Sequence, residues 1–509
     1  MKRYQSQREN ERNYWLALLV AISVLIILIV PFSDRMVSSG DDEQYFAQAT
    51  SIAYFQFPSF KKEFLQDMYP GQNLPSESVG SGVLASPFVF IGSIVDRILG
   101  SSIRNSRTGQ NIFWSWSMLG FQISTMFYLL LGASFLYLML LKWGTPKESA
   151  IFTFTTIVGG GGLLVYTAVR PVMSEVYEFF GITGLLYLYF KKWDKSINIK
   201  NAVYMSLTLS FVLLTRYNNA VLVGLFYIVL TYQTWYHSEK DRLKTYTALM
   251  FPFLMNIFVW RIIPIIVNGI NPNDLATATP LRSLIHPIPI QDWLSRLSFI
   301  LLNPGMGLLF TATPLCLGLL FVSYKNRLDK ATNAIYVPLI ISMAVNFYIV
   351  INWNGFGGYF GYRYFVIPSM PMIAIIVMQI IAKNKRKNIY HKILLGSVFF
   401  PFLSVLFWYS DPKFQANVLR HKDGSQFIDV SHSYNIQTLH DFFADPLQIL
   451  AFHLRNGICQ ILNSQVSDNL TTSQYMYALI REILYVLMSI GFALWIYIWS
   501  KKNEPIQTK

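Results

Sequence analysis

Runs of about twenty apolar residues recur along most of this chain, and a chain built this way has few folds open to it. An α-helix rises about 1.5 Å per residue, so roughly twenty apolar residues cross the ~30 Å hydrocarbon core of a bilayer. Inside that layer every backbone polar group must be bonded within the protein, which leaves helices or a closed barrel. The runs are continuous and do not alternate with period two, so helices are expected. About twelve candidate spans lie between 14–32 and 478–499, and two of them, 174–190 and 201–215, are short. The expected fold class is an all-α polytopic membrane protein of roughly 11–13 transmembrane helices. With 53% hydrophobic and 13% charged residues, a soluble core has no use for so many apolar runs.

Charge sets the orientation. With the N-terminus in the cytoplasm, the short cytoplasmic loops are all basic, including Lys191–Lys195, Lys325–Lys330 and Lys383–Lys392, and more than half of the 41 Lys and Arg fall there or in the two tails. This is the positive-inside pattern, with both termini cytoplasmic, as in a multi-pass protein of the plasma (inner) membrane. The net charge of +14 then records topology and affinity for membrane lipids, and it calls for no nucleic-acid partner. The first run has a basic flank but no small-residue cleavage site, so an uncleaved signal anchor is expected. The two cysteines, Cys316 and Cys459, indicate no disulfide or thiolate metal site. Asn469-Leu470-Thr471 forms a lone glycosylation sequon, and no internal repeat is evident.

Three outward segments are long: 33–111, 268–305 and 410–477. In the first, Asp41-Asp42-Glu43 follows Ser38-Ser39-Gly40 just beyond the first span. Acidic residues at a helix start favour its dipole, and Ser39-x-x-Asp42 reads as a capping box. Carboxylates this close to lipid are also a functional-site signal. Phe46, Ala49, Ile52 and Ala53 continue from them as a helical stripe, suited to a helix on the membrane surface. Val83–Leu99 is apolar but interrupted by Pro87 and Asp96, and suits a juxtamembrane helix better than a span.

The other unusual polar motifs fall on the same outward side: Arg170–Glu175, Thr215–Asn219, Asn303–Gly307 and Asn352–Arg363. Each has an ordinary reading. Arg170 and Glu175 suit a loop ion pair, Arg216 can snorkel, and the glycines of 355–361 can serve a turn. Gly159–Gly162 fits close helix packing. Taken together, carboxylates suit a general base or a divalent cation, arginines a phosphate, and aromatics and amides a sugar. That combination describes sugar transfer from a polyprenyl-phosphate carrier.

The motifs and their order resemble the GT-C superfamily of polyprenyl-phosphate-sugar-dependent glycosyltransferases, the group of the aminoarabinose transferases and protein O-mannosyltransferases. Gly40-Asp41-Asp42-Glu43-Gln44-Tyr45 is similar to the family's Gly-Asp-[Asp/Glu]-x-x-Tyr. Val79–Phe88, Gly162–Glu175, Leu214–Asn219, Asn303–Leu309 and Trp353–Arg363 resemble its later motifs, with Asn303 in place of the family's Ser. The resemblance covers roughly 14–382. It implies a catalytic module over 1–409, an outward region 410–477 to which no fold is assigned, and a last span with cytoplasmic tail over 478–509.

By that resemblance Asp41 is the general base and Asp42 its partner, with a divalent metal on these two as an option. Arg170, Arg216 and Arg363 become candidates for the carrier phosphate, and Glu175, Asn219 and Tyr359 for substrate contacts. Glu43 falls at a variable position. The implied partners are a polyprenyl-phosphate-linked sugar donor and a glycan, lipid or protein acceptor. A surface-polysaccharide polymerase or ligase would share the spans and outer loops without requiring the acidic motif. A transporter predicts ionisable residues near the midplane, and here the main charges inside spans are Arg261 and Arg481.

Overall fold

Apolar runs become helices wherever the structure describes them, and the departures lie in where those helices break. The computed structural model describes residues 2–29, 40–60, 77–99, 115–192, 198–237, 242–269, 290–302, 307–352 and 362–402, apart from short gaps, with scattered residues beyond. Of 410–477 it describes an antiparallel pair of short strands, β1 (Val418–Arg420) and β2 (Gln426–Ile428).

The helices are α1 (Lys2–Ile29), α2 (Gly40–Ala53), α3 (Gly80–Ile98), α4 (Trp116–Leu140), α5 (Pro146–Val158), α6 (Leu163–Ala168), α7 (Glu175–Lys192), α8 (Ile199–Thr215), α9 (Ala220–His237), α10 (Arg242–Ile257) and α11 (Ile263–Asn268). After these come α12 (Ile290–Leu302), α13 (Leu308–Thr311), α14 (Thr313–Leu319), α15 (Lys330–Asn352), α16 (Arg363–Ala382) and α17 (Lys387–Ser397). Among the described residues, five stretches are long and apolar enough to cross a membrane: α3, α4, Arg242–Asn268, α15 and α16. The chain is a membrane protein with a helical bundle.

α16 is the centre of that bundle, with 94% of its apolar window buried, whereas Arg242–Asn268 has 6% buried and turns its side chains outward. α16 packs on α7, α15, α14 and α5. α3 has the length and composition of a span, yet it lies along the first half of α4. Leu84 accepts a hydrogen bond from Tyr128, Phe88 lies on Gly120, and Gly92 lies on Trp116. A Cβ on Gly120 would sit 2.3 Å from the Phe88 carbonyl oxygen, so the two backbones can approach only because the residue is glycine. The Asp96 carboxylate closes the far end of this pair by accepting from the Trp116 and Ser117 amides at 2.9 and 2.8 Å and from the Ser117 hydroxyl at 2.7 Å. It thereby satisfies amide donors that a helix start leaves open.

The glycine run 159–162 does more than ease packing. It ends α5, and Gly162, with φ of 118°, starts α6, so the third predicted span is two helices. Close packing is present as well, since a Cβ on Gly159 would meet Pro314 at 2.4 Å. After this break, residues 170–174 connect α6 to the start of α7 at Glu175.

Candidate functional site

Five pieces of chain meet where α2, α7 and α16 begin and α8 ends. α2 supplies Asp41, Asp42 and Tyr45; the α6–α7 connection supplies Arg170 and Ser174; α7 supplies Glu175 and Glu178. Arg216 caps α8, followed by a 3-10 turn over Tyr217–Asn219, and Arg363 opens α16. The three acidic residues of α2 occupy its first turn, where the helix dipole favours negative charge. Ser39 lies outside the described residues.

The charges form an ordered network. Arg170 donates to one oxygen of Asp42 from Nη2 at 2.9 Å and Nε at 3.3 Å. Arg363 bridges two carboxylates, with Nη2 on Asp41 at 3.1 Å and Nη1 on Glu175 at 2.6 Å. Arg216 shares that Glu175 oxygen and approaches Glu178 at 3.2 Å. Its Nε also donates to the Ser174 hydroxyl at 3.1 Å. Asn219 donates to Glu178 at 2.6 Å. Tyr364 lies beneath the Arg216 guanidinium, 4.3 Å from it. Each of the three predicted arginines is thus neutralised by a carboxylate.

Burial separates these groups. Asp42, Glu175 and Glu178 are fully buried, and Arg216 and Arg363 nearly so, but the Asp41 side chain is 24% exposed and that of Arg170 15%. Burial pushes the Asp42 carboxyl up to about 6, against the pull of Arg170. Burial also raises Glu43, which makes no ion pair among the described residues.

Glu77, just before α3, joins the site. Its carboxylate accepts from the Tyr45 hydroxyl at 2.9 Å, and the same hydroxyl lies 3.1 Å from Ser174 Oγ. Its amide and carbonyl are held by Gln44 and Gln48 of α2, while Ser78 donates to the Thr215 carbonyl at 2.5 Å. Burial, then the negative charge of Asp41, push Glu77 up to about 7. The residues before α3 therefore tie the acidic helix to the arginine at the end of α8.

Of the predicted site residues, the structure brings together Asp41, Asp42, Arg170, Glu175, Arg216, Asn219 and Arg363. Tyr359 lies outside the described residues. Sequence reasoning does not single out Glu178 or Glu77. Glu178 carries a signal, a second carboxylate three residues after Glu175 inside an apolar run; Glu77, in a Pro/Gly/Ser-rich stretch, carries none. A divalent ion on Asp41 and Asp42 is poorly matched by these side chains. Hard cations take about six or more oxygens, whereas each carboxylate has one oxygen on a guanidinium, which leaves Asp42 Oδ1, without a partner among the described residues, and one oxygen of Asp41. Among the described residues no three His, Cys, Asp or Glu side chains converge on a point.

No family model matches the sequence, and no curated protein matches it. Among solved structures the chain is similar to ArnT from Cupriavidus metallidurans bound to undecaprenyl phosphate, at 13% identity over 94% of this chain and 77% of that one, with a TM-score of 0.47. It is also similar to the Archaeoglobus fulgidus oligosaccharyltransferase tethered with an acceptor peptide, at 12% identity over 77% of this chain and 55% of that one, with a TM-score of 0.46. The AglB oligosaccharyltransferase of the same organism, in complex with an inhibitory peptide and a dolichol-phosphate, gives 12% identity, 94% and 55% coverage and a TM-score of 0.40. The chain thus spans about half the length of the archaeal protein.

Proposed function

We propose that this chain is an integral membrane glycosyltransferase that moves a sugar from a polyprenyl-phosphate carrier to an acceptor hydroxyl, on the outer face of the plasma membrane. The observation that carries this reading is the state of Asp41. It is a partly exposed carboxylate held by a buried arginine, beside Asp42, Glu175 and Glu178, which are sealed from solvent. A general base must reach substrate while its orientation is fixed, and Asp41 combines these properties.

In the proposed reaction the acceptor oxygen attacks the anomeric carbon as its proton passes to Asp41. The bond from that carbon to the carrier phosphate breaks, its electron pair leaves with the phosphate, and the configuration inverts. Arg363 and Arg216, bound to Glu175 and Glu178, position Asp41; Arg170 does the same for Asp42. Donors that meet the charge growing on the departing phosphate stabilise the transition state more than the ground state. The outer-face placement rests on the basic cytoplasmic loops, and the acceptor is a glycan, lipid or protein hydroxyl.

The test incubates purified protein with radiolabelled polyprenyl-phosphate sugars and a membrane extract. Wild-type protein should transfer label, and Asp41→Asn should lower the rate at least about 100-fold, the scale of losing a general base, with expression and elution unchanged. Full activity in Asp41→Asn, or no transfer from any carrier by wild type, would refute the proposal.

A further inference from the structure

Arg261 differs from the three arginines of the carboxylate network. It lies in the π-helical turn Phe258–Ile262 that joins α10 to α11, within the stretch whose side chains face outward. Arg170, Arg216 and Arg363 are each neutralised by carboxylates. Arg261, among the described residues, has none, and the charge contact made by its guanidinium is with the Tyr217 ring, 5.1 Å away. The Tyr217 hydroxyl is likewise without a partner among the described residues. A cation within an apolar, outward-facing helix is costly unless something anionic meets it.

The neighbouring surface says what kind of anion fits. α9 and α10 run antiparallel in one register: Tyr246 donates to the Thr231 carbonyl, the Tyr227 and Phe253 rings lie 5.6 Å apart, and Arg261 covers Tyr217. Between the two helices lies an apolar groove of about 630 Å³, lined by Val223, Tyr227, Tyr232, Trp235, Phe253 and Leu254 among others. Continuing along both helices by about two turns from Val223 and Leu254, roughly 10 Å, leads to Tyr217 and Arg261. One end of this track is cationic and the rest is greasy. Tyr217 follows Arg216 directly, so the cationic end adjoins the carboxylate network.

We infer that Arg261, with Tyr217, binds the phosphate of the isoprenoid carrier, whose chain lies in the groove between α9 and α10. The inference rests on the proposed transferase activity and deepens it by moving the carrier phosphate from the paired arginines to Arg261. A guanidinium not already spent on a carboxylate can offer its donors to phosphate oxygens. Gly224 lines the groove and supplies a probe of it, because a Cβ there would meet nothing within 4 Å, so a Trp at that position starts into open space.

The experiment measures binding of a tritiated polyprenyl monophosphate to the full chain in phosphatidylcholine nanodiscs, with phosphatidic acid as competitor. Arg261→Gln and Gly224→Trp should each weaken binding at least about tenfold, the scale of one charge-assisted contact. Arg261→Lys should retain part of the affinity, and all variants should keep the wild-type elution profile and thermal midpoint. Wild-type affinity in Arg261→Gln and Gly224→Trp overturns this site and leaves the transferase reading standing. Equal competition by phosphatidic acid overturns it in favour of a bilayer-phospholipid site. No binding by the wild-type chain overturns both readings.

Discussion

Glu175 is the place where the charge network can be tested most sharply. It is fully buried and accepts from Arg216 and, at 2.6 Å, from Arg363. Replacing it with Gln keeps the size and one acceptor oxygen but removes the negative charge between two guanidinium groups. Breaking a buried ion pair by removing one partner typically costs about 3–5 kcal/mol. The retained amide acceptor offsets part of that, so about 3 kcal/mol is expected for Glu175→Gln. Arg363→Gln should cost less, because Glu175 keeps Arg216 and the freed Asp41 is partly exposed. The double variant should then cost far less than the sum, with a coupling of about 1.5–3 kcal/mol. Thermal unfolding of the detergent-solubilised protein, followed by fluorescence of its 12 tryptophans, reads this as a midpoint that falls several degrees in Glu175→Gln and falls little further in the double variant. Additive losses, or an unchanged midpoint in Glu175→Gln, would refute the reading of Glu175 as the counter-charge that permits two buried arginines.

Two further outcomes follow from the geometry. Asp42 is raised from 3.8 to about 6 by burial, so the fold favours its protonated form. Its contribution is fully present below about pH 4 and is lost as pH rises through 6, a swing of about 3 kcal/mol at ~1.4 kcal/mol per unit. Asp42→Asn should flatten the thermal midpoint's pH dependence between 4 and 7, and an identical slope in the variant would count against it. Asp96→Ala should destabilise the chain by about 3–5 kcal/mol, because three hydrogen bonds to a charged acceptor are lost and two helix-start amides lose that acceptor; a midpoint within a degree of wild type would show that α3 is held to α4 by other means.

Four of the expected spans, 112–141, 245–267, 333–351 and 364–382, fall on helices long and apolar enough to cross a membrane, because lipid imposes a simple rule on length and polarity. α3 meets the same rule although its Pro87 and Asp96 pointed to a juxtamembrane helix. Helix breaks were not legible, since the pattern 149–169 stays apolar through Gly159–Gly162, where α5 ends at its Gly159 cap and Gly162 takes a positive φ before α6. The site was partly legible: Asp41, Asp42, Glu175 and the arginines stand out as charges at the ends of apolar runs. Pairing was not legible, because Asp41 meets Arg363 across 322 positions and no local spacing encodes that contact. Glu77 was invisible for a related reason, as it enters the site through Tyr45, Gln44 and Gln48 on one face of α2.

Sequence alone also makes the arginines look interchangeable, and their partners undo this. A guanidinium that already holds one or two carboxylates at 2.6–3.2 Å in a buried site can take a phosphate only by releasing an anion into a medium that penalises bare charge. Arg216 and Arg363 are therefore better suited to fixing the base than to following a leaving group whose charge changes during the reaction. Arg261 has no such debt. A cation held by an aromatic face, at the end of an apolar track, meets new negative charge without first breaking an ion pair. The division of labour proposed for the site then follows from electrostatics: paired arginines orient Asp41, and an unpaired one receives the carrier.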